Sequence, residues 1–221
     1  MDFGSGKTAA TPHQERVKQM GKTQDIRVAV EGELTFDPLV DSTDVTVKNL
    51  DGDVALNGTV ASYPQYLEAE AAARRVAGVT HVHNHLEVVL PTTNYRDDAT
   101  LTATANNALF NDVTVPVGIL AEARDGNVTL TGTVNYGVER AAAASAVAGL
   151  IGVRNIKNHI QITINADPVD VVLAVQDALD RYSLVLDDSD VLVDTEESNV
   201  TLTGHVRTWA EHDAVVNAAW M

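Results

Sequence analysis

The chain has 221 residues, with 15 lysines and arginines against 31 aspartates and glutamates, and a formal charge of −16. That excess excludes a broad nucleic-acid footprint, which needs a basic stripe, and it disfavours non-specific attraction to anionic lipid. Without a single cysteine, the chain has no disulfide framework, no thiolate zinc site and no thiol nucleophile.

Residues 1–22 are small, polar and charged and read as a flexible tail. The tail lacks an apolar leader, and no stretch reaches the length of a transmembrane helix. As the chain stands a cytoplasmic location is expected, and a periplasmic one if a leader has been removed. GSGKT, Gly4 to Thr8, matches only the end of a phosphate-binding loop. The glycine required five residues before Gly6 would fall at Met1, and no strand precedes it.

Self-similarity organises the rest. GDVALNGTV (Gly52 to Val60), GNVTLTGTV (Gly126 to Val134) and SNVTLTGHV (Ser198 to Val206) place Gly58, Gly132 and Gly204 at intervals of 74 and 72 residues. Such an interval marks tandem units, here residues 23–91, 92–165 and 166–221. In the first, Ile26, Val30 and Leu34 recur at i, i+4 and i+8, the apolar stripe of a helix. DVTVKNL and GDVALNGTV form a hairpin around Asp51-Gly52. An alanine-rich helix over Tyr66 to Ala77 stops at Gly78, and GVTHVHNHLEVVL supplies a third strand.

The second unit repeats this order. Asp97 or Asp98 caps a helix with the stripe Leu101, Ala105 and Leu109. PVGILAEA, the Asp125-Gly126 turn, a helix over Val138 to Leu150, a stop at Gly152 and the strand GVRNIKNHIQITI follow. In the third, Asp167-Pro168 caps a helix bearing Val171, Val175 and Leu179, DVLVDT is a strand, and Glu197-Ser198 replaces the glycine turn. This copy is incomplete: it stops at Met221 inside its second helix, from Ala210 onward, so either the chain is truncated there or the copy lacks its closing strand. The expectation is an unpaired edge able to recruit a second chain into a homo-oligomer. The fold class is α+β: three tandem small αββαβ modules, each with two helices on one face of a three-stranded mixed sheet.

GxVxLxGxV with its glycine at Gly58, Gly132 and Gly204, the alanine-rich helix, GVTHVHN closing at Asn84, GVRNIKN closing at Asn158, and RTWAEHDAV (Arg207 to Val215) together resemble the BON domain, over roughly residues 23 to 221. The resemblance implies a non-enzymatic binding module of bacterial envelope and stress proteins, with a phospholipid surface or envelope component as partner and an osmotic or general stress setting. Some members bind potassium, so a cation-responsive module is an alternative, as is a scaffold for protein interaction or self-assembly.

Site chemistry is sparse. His81, His83 and His85 share one strand face, but the aligned residues are Asn155, Lys157 and His159, so metal ligation is not part of the repeat. Two histidines at i and i+2 chelate zinc only with a third ligand, and a solvated strand face is the simpler expectation. The acidic run Asp187 to Glu197 lacks the glycine and spacing of a calcium loop. Gly58, Gly132 and Gly204, inside strands, and the helix stops Gly78 and Gly152 are read as structural. Asn57, Asn127 and Asn199 form glycosylation sequons only because the repeat writes them. No nucleophile elbow, histidine-rich helix motif or dinucleotide fingerprint is present, so neither catalysis nor a cofactor is expected. Charge falls unevenly, net −7 over residues 25–90, −1 over 91–164 and −10 over 165–221. The middle module therefore meets least repulsion at an anionic surface, with Arg96, Arg124, Arg140, Arg154 and Lys157 as its candidate lipid contacts.

Overall fold

A computed structural model describes residues 25–163, 168–181, 191–196 and 199–219. The tail, GSGKT, Asp167, the Glu197-Ser198 turn, Asp187 to Asp190 of the acidic run and Met221 lie outside the described residues. The chain forms two compact units, residues 1–89 and 90–221.

In the first unit, α1 (residues 25–36) buries Val30 and Leu34. Strands β1 (Val45–Leu50) and β2 (Asp53–Val60) form an antiparallel hairpin. Asp51 and Gly52, at φ 56° and 100°, take the positive values that a tight type I′ turn demands. Helix α2 (Tyr63–Arg75) leads to β3 (His81–Val88), which runs parallel to β2 and gives the order β1-β2-β3. The mixed sheet with a helical crossover is as the sequence predicts. Helix α2 begins three residues earlier than its apolar pattern suggests, because the Ser62 hydroxyl accepts from Gln65 N and Pro64 fits a first turn whose N–H needs no partner.

Val47, Val54, Leu56, Val60, Leu86 and Val88 from the sheet meet Val30 and Leu34 of α1 and Ala69, Ala72 and Ala73 of α2 in the core. The alanines let α2 lie close to the strands. Arg75, at the end of α2, donates to Glu33 at 3.0 Å, to Glu68 at 2.8 Å and to Asp37, tying α2 to the end of α1. Asn84 joins strand to helix: its Nδ2 donates to the Tyr66 carbonyl at 2.9 Å and its Oδ1 accepts from Leu86 N at 3.2 Å. Asn158 makes the same pair of bonds in the second module, to the Arg140 carbonyl at 3.0 Å and from Ile160 N at 3.2 Å. The repeated asparagine is thus a clip between third strand and second helix.

The second unit opens its helix α3 (Asp98–Asn111) with Asp97 as the cap, accepting from Thr100 N at 3.0 Å. Strand β4 (Leu120–Arg124) starts four residues later than PVGILAEA suggests. Pro116 has no N–H to give a ladder, and Gly118 turns at φ 99°. Then come β5 (Asn127–Thr131), β6 (Thr133–Val134), α4 (Gly137–Ala148), β7 (Asn155–Asn158) and β8 (Gln161–Ile162). The order β4-β5-β7 repeats that of the first sheet, but here the third strand is split, with β8 pairing parallel to β6. Helix α5 (Pro168–Arg181), the antiparallel pair β9 (Val191–Glu196) and β10 (Asn199–Gly204), and α6 (Trp209–Ala219) complete the described chain. Val175, Ala178, Leu179, Val191, Val215 and Ala218 form their core. Among the described residues this last sheet has two strands.

The repeat glycines answer a steric demand. At Gly58, φ 124°, an added Cβ would lie 1.9 Å from the Asp44 carbonyl oxygen, and at Gly132, φ 139°, it would lie 2.8 Å from that of Gly118. The backbone entering the first strand crosses the second strand there with no room for a side chain. Gly204 pairs with Val191 at the corresponding place in β10.

Helix α3 also closes the outer edge of β4. Asp98, Thr102 and Asn106, at i, i+4 and i+8, accept from the backbone N–H groups of Asp125, Ala123 and Ala121 at 2.9, 2.9 and 3.0 Å. Four residues of helix rise about 6 Å and two residues of strand about 6.8 Å, so the side chains keep step with alternate N–H groups. The helix supplies the ladder that another strand would otherwise provide. At the aligned positions of α1, Arg27 and Glu31 pair with one another.

In chemical denaturation, Gly58→Ala is expected to cost the first unit at least about 2 kcal/mol, whereas Gly32→Ala, in α1 with open space around it, gains about 0.5–1 kcal/mol. Thr102→Val, which keeps shape and strands the buried Ala123 N–H, is expected to cost about 1–3 kcal/mol. Asn107→Ala on the exposed side of the same helix is the control and stays within about 0.5 kcal/mol.

Candidate interaction surface

The second module has two chemically different ends, because β4 runs from the α3–β4 connection toward the Asp125-Gly126 turn. Arg96, Arg124 and Arg154 gather at the turn end. Arg154 N donates to the Gly126 carbonyl at 2.8 Å and its side chain covers Gly126. Arg96 lies against Gly152 and donates to the carbonyls of Thr93 and Tyr95 at 3.1 and 2.7 Å. Arg124 stands 3.6 Å from the Glu122 carboxylate. Asp97, Asp98 and Asp125 lie at the same end, so the basic charge is largely offset.

The other two candidate contacts lie elsewhere. Arg140, half-buried in the first turn of α4, donates to the Asn158 carbonyl at 3.2 Å. Lys157 projects from the exposed face of β7, beside Thr129. The five basic residues singled out from the sequence, Arg96, Arg124, Arg140, Arg154 and Lys157, are therefore not brought together into one patch.

The opposite end carries a bare apolar connection, with Glu139 and Arg140 in the nearby first turn of α4. Phe110 is 82% exposed, Val113 100% and Val117 93%, all in or beside the α3–β4 connection, and Leu120 is exposed next to them. Tyr136 and Val138, after β6, are exposed at the same end. The single charge between Asn111 and Ala121 is Asp112. Its carboxylate accepts from the Thr114 hydroxyl at 2.6 Å and from Thr114 N at 2.9 Å, and these bonds hold its pKa below the ordinary aspartate value, so it is ionised at neutral pH.

The first module repeats the exposed apolar residues but not the low charge, since its connection holds Asp37, Asp41 and Asp44. Phe36, 86% exposed, and Leu39, also exposed, precede Phe110 and Val113 by 74 residues, the interval between Gly58 and Gly132. Tyr182 and Val185 stand 72 residues further on, outside the described residues. This signal was present in the sequence: two of the three phenylalanines stand 22 residues before the hairpin glycine of their module, Phe36 two residues and Phe110 one residue past the buried helix stripe.

On the first sheet, His81, His83 and His85 point outward from β3. His81 Nδ1 lies 2.9 Å from Asp53 Oδ1, and the rings of His83 and His85 stack. Among the described residues, no helix is long and apolar enough to cross a membrane.

A sequence model of the BON domain matches residues 22–89, 97–164 and 170–221. Osmotically-inducible protein Y of Escherichia coli (strain K12) is 33% identical over 127 residues, covering 55% of this chain and 63% of that protein. The chain thus spans less than two thirds of that relative's length. Among solved structures, CdsD, a structural protein of the type III secretion system of Chlamydia trachomatis, is similar at 12% identity and a TM-score of 0.29, over 68% of this chain and 67% of that one. Its C-terminal domain gives 12% and 0.27, over 63% and 66%. Superpositions this slight say nothing about function.

Proposed function

The chain belongs to the BON domain family, and from that premise we propose that it is a non-catalytic protein that associates with phospholipid surfaces through the apolar connection between first helix and first strand. The observation that carries this reading is the protruding group Phe110, Val113 and Val117, repeated at Phe36 and Leu39. Each such side chain held in water forgoes about 1.5–3 kcal/mol of burial, so its recurrence at one repeat position asks for a partner. A protruding tip with a single charge suits the boundary between headgroups and acyl chains, where apolar side chains enter and the nearby backbone stays wet. With a formal charge of −16, attraction to anionic lipid is not the driving term, and apolar insertion works on neutral lipid as well. Tandem modules add avidity. Similarity to an osmotically inducible protein supports a stress setting.

The turn end, with Arg124 and Arg154, faces away from this contact. Co-flotation with vesicles of phosphatidylcholine, alone or with anionic phosphatidylglycerol, at low and high salt, separates the alternatives. The expected result is binding to both that persists at high salt and falls at least tenfold in the double variant Phe110→Ser, Val117→Ser. The melting temperature of that variant is unchanged, because neither side chain is in the core. Absence of flotation with every vesicle overturns the reading. So does flotation that survives the double variant and disappears with Arg124→Glu and Arg154→Glu.

A further inference from the structure

The outer face of the first sheet carries a second group with different chemistry. His81, His83 and His85 project to one side of β3, and the parallel register sets Asp53 beside His81 and Ala55 beside His83. Ala55, the neighbour of His83 on β2, is small, and Lys48 stands across from it on β1 on the same face. Asp53 Oδ1 lies between two imidazoles, 2.9 Å from His81 Nδ1 and 4.0 Å from His83 Nε2. The three histidines and Asp53 are exposed, so none is needed for the core.

We infer that His81, His83 and Asp53 bind a divalent transition-metal ion of the zinc type, with water completing the shell. Imidazole nitrogen with carboxylate oxygen is a donor set for zinc, copper and nickel, whereas magnesium and calcium require oxygen alone. Two ligands at i and i+2 of one strand, joined by a third from the neighbouring strand, converge on one side of a sheet. Ligand atoms about 2.0–2.1 Å from a tetrahedral ion are about 3.3 Å from each other. The observed 2.9 and 4.0 Å bracket that value. Among the described residues no three ligating side chains already surround a common point. The ion therefore replaces the hydrogen bond between His81 and Asp53 and draws His83 inward by less than an ångström, a rotation that an exposed side chain makes freely. His85, stacked on His83 at 6.3 Å between ring centroids, fixes the plane of that ring and is not itself a ligand.

The second module is a built-in comparison. The same parallel register there sets Asn127 beside Asn155 and Thr129 beside Lys157. Amides replace the carboxylate and one imidazole, and an ammonium group that repels a cation replaces the other. The second module therefore lacks the site.

Isothermal titration of the full chain with zinc alone, and with magnesium alone, tests the assignment. A saturable zinc site is expected, with no magnesium binding at the same concentrations. His83→Ala and Asp53→Asn each weaken zinc binding at least tenfold, His85→Ala weakens it far less, and the metal-free melting temperature is the same in all. Zinc also raises the melting temperature of the unaltered chain and not of the His83→Ala variant. Absence of saturable zinc binding overturns the assignment. So does binding that is equally tight in the His83→Ala and Asp53→Asn variants, which would place the ion on other histidines. Neither result depends on vesicle binding.

Discussion

In the first two hairpins, the second strand is crossed at its glycine by backbone entering the first strand, so closely that an added Cβ would stand 1.9 Å from a carbonyl oxygen at Gly58 and 2.8 Å from one at Gly132. This crossing pins the chain. In the second module it holds Gly118 and Ile119 against the sheet, and Ile119 is buried as a result. Residues 112–117 must then span from the end of α3 to that fixed point beyond the end of the strands. Val113 and Val117 lie where neither helix nor sheet reaches them, which is why they are bare while Ile119 is not. The apolar tip is thus a geometric result of the glycine crossing.

The same logic separates the two ends of the module. The tight turn at Asp125-Gly126 gathers ionic groups of both signs, while the opposite end has Asp112 as its one charge from Asn111 to Ala121. A protein this acidic approaches a phospholipid surface most easily through an end that brings little charge with it. The middle module, at net −1, is the least penalised of the three.

Much of the fold was legible because its signals are local. Apolar spacing located the helices, the Asp-Gly pairs located the turns, and the interval between glycines located the modules. Boundaries shifted where a single residue overrode the pattern, as Ser62 and Pro64 did at the start of α2 and Pro116 and Gly118 did before β4. The surfaces were harder to read. An apolar residue next to a buried stripe is credited to the core, yet Phe110 is turned about 100° around the helix from the buried Leu109 and faces water. The shared face of His81, His83 and His85 follows from strand alternation. The approach of Asp53 follows only from the parallel register of two strands separated by a helix, which spacing alone does not fix. The basic residues were visible one by one, but their dispersal over two ends and a sheet face is a matter of topology.

The segment NVTLTG occurs twice, as β5 with the glycine that follows it, Asn127 to Gly132, and as β10, Asn199 to Gly204. A newly synthesised chain therefore holds two interchangeable strands and two candidate partners for them, β4 and β9. Loop closure across a two-residue Asp-Gly turn is far faster than closure across a whole module, so β4 captures β5 first. The three acceptors on α3 then occupy the outer N–H groups of β4 and leave β9 nothing on that side to add to. The sealed edge thereby keeps a further strand from adding beside β4, within one chain or between two chains folding side by side.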